Sequence, residues 1–360
     1  MKYILVGILL VIIQNISAQV KQVRRDDCGT PAPFEPYQLE KKALNRPLAT
    51  LPYIIKVLVH VCADDDGTNV AANKADILRQ LQNMSSYFAP HNICFILSGI
   101  EQINSLDLNN HNTETEKDEL GPYLVANHLN IFIHNRLMDN TGGLNGNAYD
   151  IPNWYLSMVG TAISSTTNNS TMAHEMGHDF GLYHTFERFL NNAGMATKSE
   201  NVPRSGACSN CTDNGDLICD TEADRDEGVD DLCNYTGSLR DACNNLFAPN
   251  TRNIMTYGNR ACRDFFTAGQ GGKARNAIDG SSTLTNAIAP DNQPVFAAII
   301  TAGRQFILAR NTITINVSSF RVEGIARMNI CARSVRLKPG VKLAPLANGF
   351  TSIRPNTLCQ

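Results

Sequence analysis

Two absences set the first bounds on this 360-residue chain. It has no excess of positive charge. The formal net charge is −3 and the pI near 6.2, which leaves no basic field for a nucleic acid. Beyond its first 13 residues it also has no apolar run approaching the roughly 18 residues that a membrane span needs. Charged residues are few, 18% against 43% hydrophobic, the balance of a folded chain rather than a disordered one. The length exceeds what one compact core needs, so one catalytic-size domain with appendages is expected.

The N-terminus reads MKYILVGILLVIIQNISAQV. Lys2, the apolar run from Tyr3 to Ile13 and the small Ser17 and Ala18 stand in the order of a secretory signal peptide covering residues 1–18. Gln14 and Asn15 end the run too early for a membrane anchor. The mature protein is therefore expected to be soluble and secreted. In an oxidising compartment its eleven cysteines are expected to pair and leave one over.

Residues 19–50 are rich in proline and charge, lack any period, and read as a pro-segment. The main domain is expected over 51–288. "YIIKVLVHVC" (53–62) is a β-branched apolar run that predicts a strand buried on both faces. "ADILRQLQNMSSYFA" (75–89) spaces Ile77, Leu78, Leu81, Met84 and Phe88 as an amphipathic helix does. "ICFILSGI" (93–100) and "HLNIFIH" (128–134) predict two further strands. This order predicts an α/β (α+β) domain with a twisted, mainly parallel sheet. "TGGLNGNAYDIP" (141–152) predicts an irregular edge strand, and residues 208–262 hold six cysteines among acidic loops. From 289 to 360, short apolar pieces separated by polar or Gly/Pro breaks predict a small β-rich C-terminal module.

The chemistry concentrates in "TMAHEMGHDFGLYHTF" (171–186), which holds three of the eight histidines, His174, His178 and His184, and one glutamate, Glu175. Ser, Thr and Asn residues before it are available to cap a helix. On such a helix His174 and His178 project about 40° apart and can aim at one point. His184 cannot join them from the same helix. Gly181 supplies the left-handed turn that ends the helix and brings His184 round. Chance places three of eight histidines at this spacing in under about one per cent of such chains. Three neutral imidazoles with a fourth position open describe a catalytic zinc site. Glu175 can then take a proton from water and pass it to a leaving amine. The spacing H-E-x-x-H-x-x-G-x-x-H is the metzincin form of the metalloprotease signature. His60, His91, His111, His128 and His134 show no ligand spacing and read as structural or surface residues.

The segments "HEMGHDFGLYHTF" (174–186), "NGDLICDTEAD" (214–224), "NIMTYGNRAC" (253–262) and "FTAGQ" (266–270) together resemble the pappalysin, or cytophagalysin, branch of the metzincins over about residues 53–275. The resemblance implies that Met255 forms the floor of the site and that Tyr257 stabilises the tetrahedral intermediate, a role suited to a phenol donor. It implies calcium on the acidic loop, held by Asp216, the Cys219 carbonyl and Thr221, although nine carboxylates between 212 and 231 also read as a solvated surface. The family's Asp-Thr-Pro is here Asp220-Thr221-Glu222, and Thr256 replaces the aspartate of its Met-Asp-Tyr; neither change removes a ligand or the base.

A zinc ribbon at Cys208 and Cys211 lacks a second C-x2-C. The family pattern implies disulfides Cys211–Cys233 and Cys243–Cys262. Elimination then offers Cys208–Cys219, Cys62–Cys94 and Cys331–Cys359, and leaves Cys28. A thiolate is a strong zinc ligand, and zymogens of related enzymes use a pro-segment cysteine or aspartate to fill the open position. Cys28, or alternatively Asp26 or Asp27, is therefore expected to hold the protein latent until residues 19 to about 50 are cut off. The edge segment 142–149, with Gly143 and Ala148, is expected to hold an extended peptide by strand addition, as metzincins do. The stretch 330–360 resembles a short β-motif appended to many secreted bacterial proteins, with a packing, adhesion or sorting role.

The reading that results is a secreted zinc endopeptidase made as a zymogen and acting on proteins or peptides. Its rival is a catalytically inactive, zinc-stabilised binding or adhesion protein. Intact Glu175 and Tyr257 argue against that rival, since neither is needed to hold a metal. A zinc hydrolase of non-peptide substrates is disfavoured by the Met255 turn.

Overall fold

The computed structural model describes residues 28–31, 52–188, 199–226, 229–296 and 298–356. The expected signal peptide and all of the expected pro-segment except 28–31 lie outside them. The main sheet is built from β1 (Tyr53–Ala63), β2 (Ile93–Asn104), β3 (Leu129–His134), β4 (Gly146–Ala148) and β5 (Tyr155–Val159), in the order β2-β1-β3-β5-β4. Its pairs are parallel except the last, where β4 runs antiparallel to β5 at the edge. β1 is mostly apolar, Lys56 and His60 apart, because it lies between two strands and is covered on both faces.

Helix α1 (Lys74–Phe88) connects β1 to β2 and starts where the Asn73 side chain accepts from the Asp76 amide at 3.0 Å. It buries Ile77, Leu81, Met84 and Phe88 against the sheet and leaves Leu78 38% exposed, so the apolar stripe is one residue narrower than its spacing suggests. Helices α2 (Thr171–Asp179) and α3 (Ala268–Gly280) complete this layer. Phe88, Phe95 and Phe180 meet edge-on or stacked at its centre, between 5.4 and 6.2 Å apart.

The opposite face buries polar rings. His60 stacks on Phe132 at 4.5 Å, and His111 stacks on His134 at 4.8 Å. His111 Nε2 meets the Tyr149 hydroxyl at 2.9 Å, and His134 Nε2 meets Ser157 Oγ at 2.8 Å. Burial pushes His60, His111 and His128 down to about 4 and His134 to about 3. Because these folded-state values lie below the usual ~6.5, the unfolded chain takes up protons first as the pH falls. Their contribution is complete above about pH 6.5 and is lost as the pH drops towards 4. Urea unfolding is expected to show a lower midpoint at pH 5 than at pH 7, by on the order of 1–2 kcal/mol per histidine. An unchanged midpoint would contradict this.

The C-terminal region forms three parallel sheets of three short strands. Asn292–Val295, Thr312–Ile315 and Ser334–Leu337 make one; Ile299–Ile300, Arg321–Val322 and Lys342–Leu343 a second; Arg304–Leu308, Arg327–Cys331 and Phe350–Arg354 a third. The third set starts at 304, 327 and 350, equal steps of 23. This is a three-sided solenoid of three coils, with Ile313, Ile315, Val322, Met328 and Ile330 filling its interior. It docks on β2 through an Arg304–Glu101 ion pair at 2.6 Å and through Arg354, which donates to the Ser98 carbonyl at 2.7 Å. Ile54, Ile96, Leu308 and Cys331 pack between the two.

The disulfides correct every expected pairing. Cys208 joins Cys243, Cys211 joins Cys219, and Cys233 joins Cys262. The expected Cys211–Cys233, Cys243–Cys262 and Cys208–Cys219 bonds do not form. Turns centred on Cys233 and Asn244, both with positive φ, reverse the chain and carry Cys233 to within 6.0 Å (Cα–Cα) of Cys262. Cys62–Cys94 is excluded by register, because on neighbouring parallel strands Cys94 lies opposite Ile54 and Cys62 opposite Ile103. Cys62 is a buried free thiol, whereas Cys94 is disulfide-bonded. Cys331 is also a buried free thiol, which excludes Cys331–Cys359; Cys359 lies outside the described residues.

Candidate active site

Helix α2 carries the histidine signature and is buried on all sides, all nine of its residues included. Ser170 does not cap its first turn, since its Oγ donates to the Arg260 carbonyl at 3.0 Å; Asn168 Oδ1 accepts instead from the Thr171 amide at 3.3 Å. The helix ends at Phe180, and Gly181 follows with φ +80, a conformation that L side chains rarely adopt. The Leu182 amide returns to the Gly177 carbonyl at 2.9 Å, and the reversed chain delivers His184. His178 Nε2 lies 3.2 Å from the Nε2 atoms of both His174 and His184. Each outer nitrogen has an acceptor: Ile254 O for His174 and Leu182 O for His178, both at 2.8 Å, and Glu187 Oε2 for His184 at 3.1 Å. With Nδ1–H so engaged, the three Nε2 lone pairs face one point. Burial, reinforced by the neighbouring imidazoles, holds His174 and His178 well below the usual range and so keeps them neutral. This donor set fits a bound metal ion.

The turn at Met255 closes the site from below. Met255 is fully buried against α2, and a Cβ on Gly177 would come within 2.7 Å of its sulfur, so any larger residue there would displace the Met255 side chain. The preceding carbonyl, Ile254 O, is the one that orients His174. Asn253 and Gln270 exchange two amide hydrogen bonds at 2.9 and 3.0 Å, fastening this turn to α3. The Tyr257 ring lies 4.8 Å from the His184 ring and 6.0 Å from that of His174. Two residues escape the sequence reading although they follow the third histidine directly. Phe186 stacks on His184 at 4.8 Å, and Glu187 holds its Nδ1.

Residues 28–31 lie in this site. The Gly29 amide donates to the Gly146 carbonyl at 3.0 Å, and Cys28 pairs with Gly146 in parallel sense, so the segment extends the sheet beyond β4. Cys28 Sγ is 3.7 Å from His178 Nε2 and 3.6 Å from Glu175 Oε2. With the three histidines it forms a set whose ligand atoms all lie within 4.8 Å of one another. Thr30 Oγ1 donates to Glu175 Oε2 at 3.0 Å and accepts from the Ala148 amide at 2.9 Å. Ala148 is therefore on the edge strand facing the site. Gly143 is not in β4; it lines an adjoining cavity of about 470 Å³ with Leu137, Asp139 and Val159. Asp26 and Asp27 lie outside the described residues.

On the acidic loop, Thr221 Oγ1 donates to Asp216 Oδ1 at 2.9 Å, and the Ile218 amide reaches the same oxygen at 3.0 Å. Asp216 Oδ2 and Glu200 Oε2 are both buried without a hydrogen-bond partner. Burial pushes Asp216 up to about 7 and Glu200 to about 8, the latter further raised by the charge on Asp216. Glu200, near in space but 16 residues before Asp216 in the chain, is invisible to a search for local spacing. Cys219 is tied to Cys211 in this loop.

The model of the reprolysin-like metallopeptidases of family M12B matches residues 90–185, a stretch that includes all three histidines and Glu175. The class thus defined is a metalloendopeptidase. An extracellular metalloprotease of Neurospora crassa is 27% identical over 272 residues, covering 67% of this chain and 90% of that protein. One of Pyricularia oryzae is 26% identical over 248 residues, covering 62% of this chain and 84% of that protein. Among solved structures, mature mirolysin of Tannerella forsythia in complex with a cleaved peptide aligns at 19% identity and a TM-score of 0.47, covering 66% of this chain and 96% of that one.

Proposed function

We propose that this chain is a secreted zinc endopeptidase of the pappalysin branch, made as a zymogen. The observation that carries the reading is the convergence of three Nε2 atoms whose opposite ring nitrogens are all held by acceptors. His174, His178 and His184 would hold zinc, which when bound supplies a Lewis acid and lowers the pKa of water. Glu175, beside the histidines, accepts the proton of the attacking water and returns it to the leaving amine. The Tyr257 phenol donates to the oxygen that becomes negative as the peptide carbonyl is attacked. The free edge of β4 holds the substrate backbone, where 28–31 now lies. Once the N-terminal segment is removed, the protein is expected to degrade denatured casein, to lose that activity on treatment with a chelator and to regain it with zinc. Digestion unaffected by the chelator would rule the reading out.

Latency in this reading comes from Cys28, whose thiolate would take the remaining zinc position. Export is supported by the signal-like N-terminus and by relatives named as extracellular. Calcium fits the acidic loop, because the buried Asp216 Oδ2 and Glu200 Oε2 have no hydrogen-bond partner among the described residues. Added calcium is expected to raise the melting temperature by several degrees, and Glu200→Gln to abolish the increase. An unchanged melting temperature would remove this site.

A further inference from the structure

Asp224 belongs neither to the histidine signature nor to the Met255 turn, yet its carboxylate joins them. Its Oδ2 accepts from Thr185 Oγ1 at 2.7 Å and from Thr256 Oγ1 at 2.6 Å. Its Oδ1 accepts from the amides of Arg225 at 2.6 Å and Asp226 at 3.2 Å, so the side chain is fixed by its own loop. Asp224 is 3% exposed. Thr185 follows His184, and Thr256 stands between Met255 and Tyr257. The same two segments touch once more, where the Thr185 amide donates to the Met255 carbonyl at 3.2 Å. From the other side Arg263, also buried, donates to the Thr256 carbonyl at 2.8 Å.

We propose that Asp224 is a positioning residue that sets the distance between the third histidine and the Tyr257 phenol. The proposal rests on the zinc endopeptidase reading. A carboxylate oxygen can accept two hydroxyl donors at once, which a hydroxyl or an apolar side chain at 224 could not do with the same reach. One atom thereby holds the metal-binding segment and the phenol-bearing turn in register. It also accounts for threonine at 256: a second carboxylate there would oppose Asp224 with like charge, whereas a hydroxyl donates to it. The disulfide-rich loop, whose described residues contribute no donor to the histidine cluster, thus determines how that cluster faces the phenol.

The test uses protein freed of its N-terminal segment, with the near-isosteric Thr256→Val and Thr185→Val, then Asp224→Asn, Asp224→Ala and the double variant Asp224→Ala/Thr256→Val. Thr256→Val is expected to lower kcat on a peptide about tenfold with KM within about twofold and zinc retained. Thr185→Val is expected to release zinc to a chelator about tenfold faster. In the Asp224→Ala background, Thr256→Val should cost no further kcat, because the shared acceptor is already gone. Asp224→Asn keeps one acceptor oxygen and should fall between wild type and Asp224→Ala. Additive losses in the double variant, or a fall in melting temperature with kcat and zinc release unchanged, would overturn the proposal. Zinc release needs no substrate, so that arm reports on Asp224 even if no peptide is cleaved.

Discussion

Glu175→Ala is expected to lower peptide hydrolysis by about 10³-fold while leaving the zinc content at one ion per chain. The two parts follow from separate features of the site. Glu175 is fully buried one residue after His174, and its Oε2 faces the cleft where Thr30 and Cys28 now contact it. It is not one of the groups whose ligand atoms converge. Removing it therefore removes the proposed proton acceptor without removing a donor. KM should change little, because the proposed mechanism assigns the substrate backbone to β4 and not to this carboxylate. The same variant separates the endopeptidase from an inert zinc-stabilised binding protein, for which Glu175→Ala would change nothing that binding assays read. Hydrolysis within tenfold of wild type, with metal bound, would show that another group takes the proton.

The second large effect is expected in the uncleaved chain. Cys28→Ala should raise its activity by at least tenfold, because the Cys28 thiol is the ligand group of residues 28–31 that lies within 4.8 Å of all three histidine nitrogens. The rise should stop short of the cleaved enzyme. Gly29 still pairs with the Gly146 carbonyl, and Thr30 still engages Glu175 and the Ala148 amide. Thr30→Val added to Cys28→Ala should therefore raise activity further. If Cys28→Ala leaves latency unchanged while Asp26→Ala or Asp27→Ala relieves it, the acidic neighbours are the switch.

How much of this was legible in the sequence differs by the range of the interaction. The two histidines on one helix face, the turn at Gly181 and the return of His184 are local, so spacing alone places them. The strands of β1, β2 and β3 announce themselves as apolar runs because they are covered on both faces. β5 does not, since YLSMV is short and alternates too little to separate it from a loop. The solenoid repeat is hidden because few equivalent positions share a residue type: Ile307, Ile330 and Ile353 do, whereas Phe306, Asn329 and Ser352 do not. The disulfides and the partnership of Glu200 with Asp216 depend on how loops fold back through space, which residue spacing does not encode. In the sequence Asp224 is one of nine acids on a charged loop; its proposed role rests on two threonine hydroxyls that approach it from segments 39 and 32 residues away.

The most direct measurement is X-ray absorption at the zinc edge on the protein before and after removal of its N-terminal segment. The account predicts three imidazole nitrogens in both samples, with one sulfur in the uncleaved chain replaced by an oxygen in the cleaved one. Fewer than three imidazoles, or a sulfur that persists after cleavage, would contradict it.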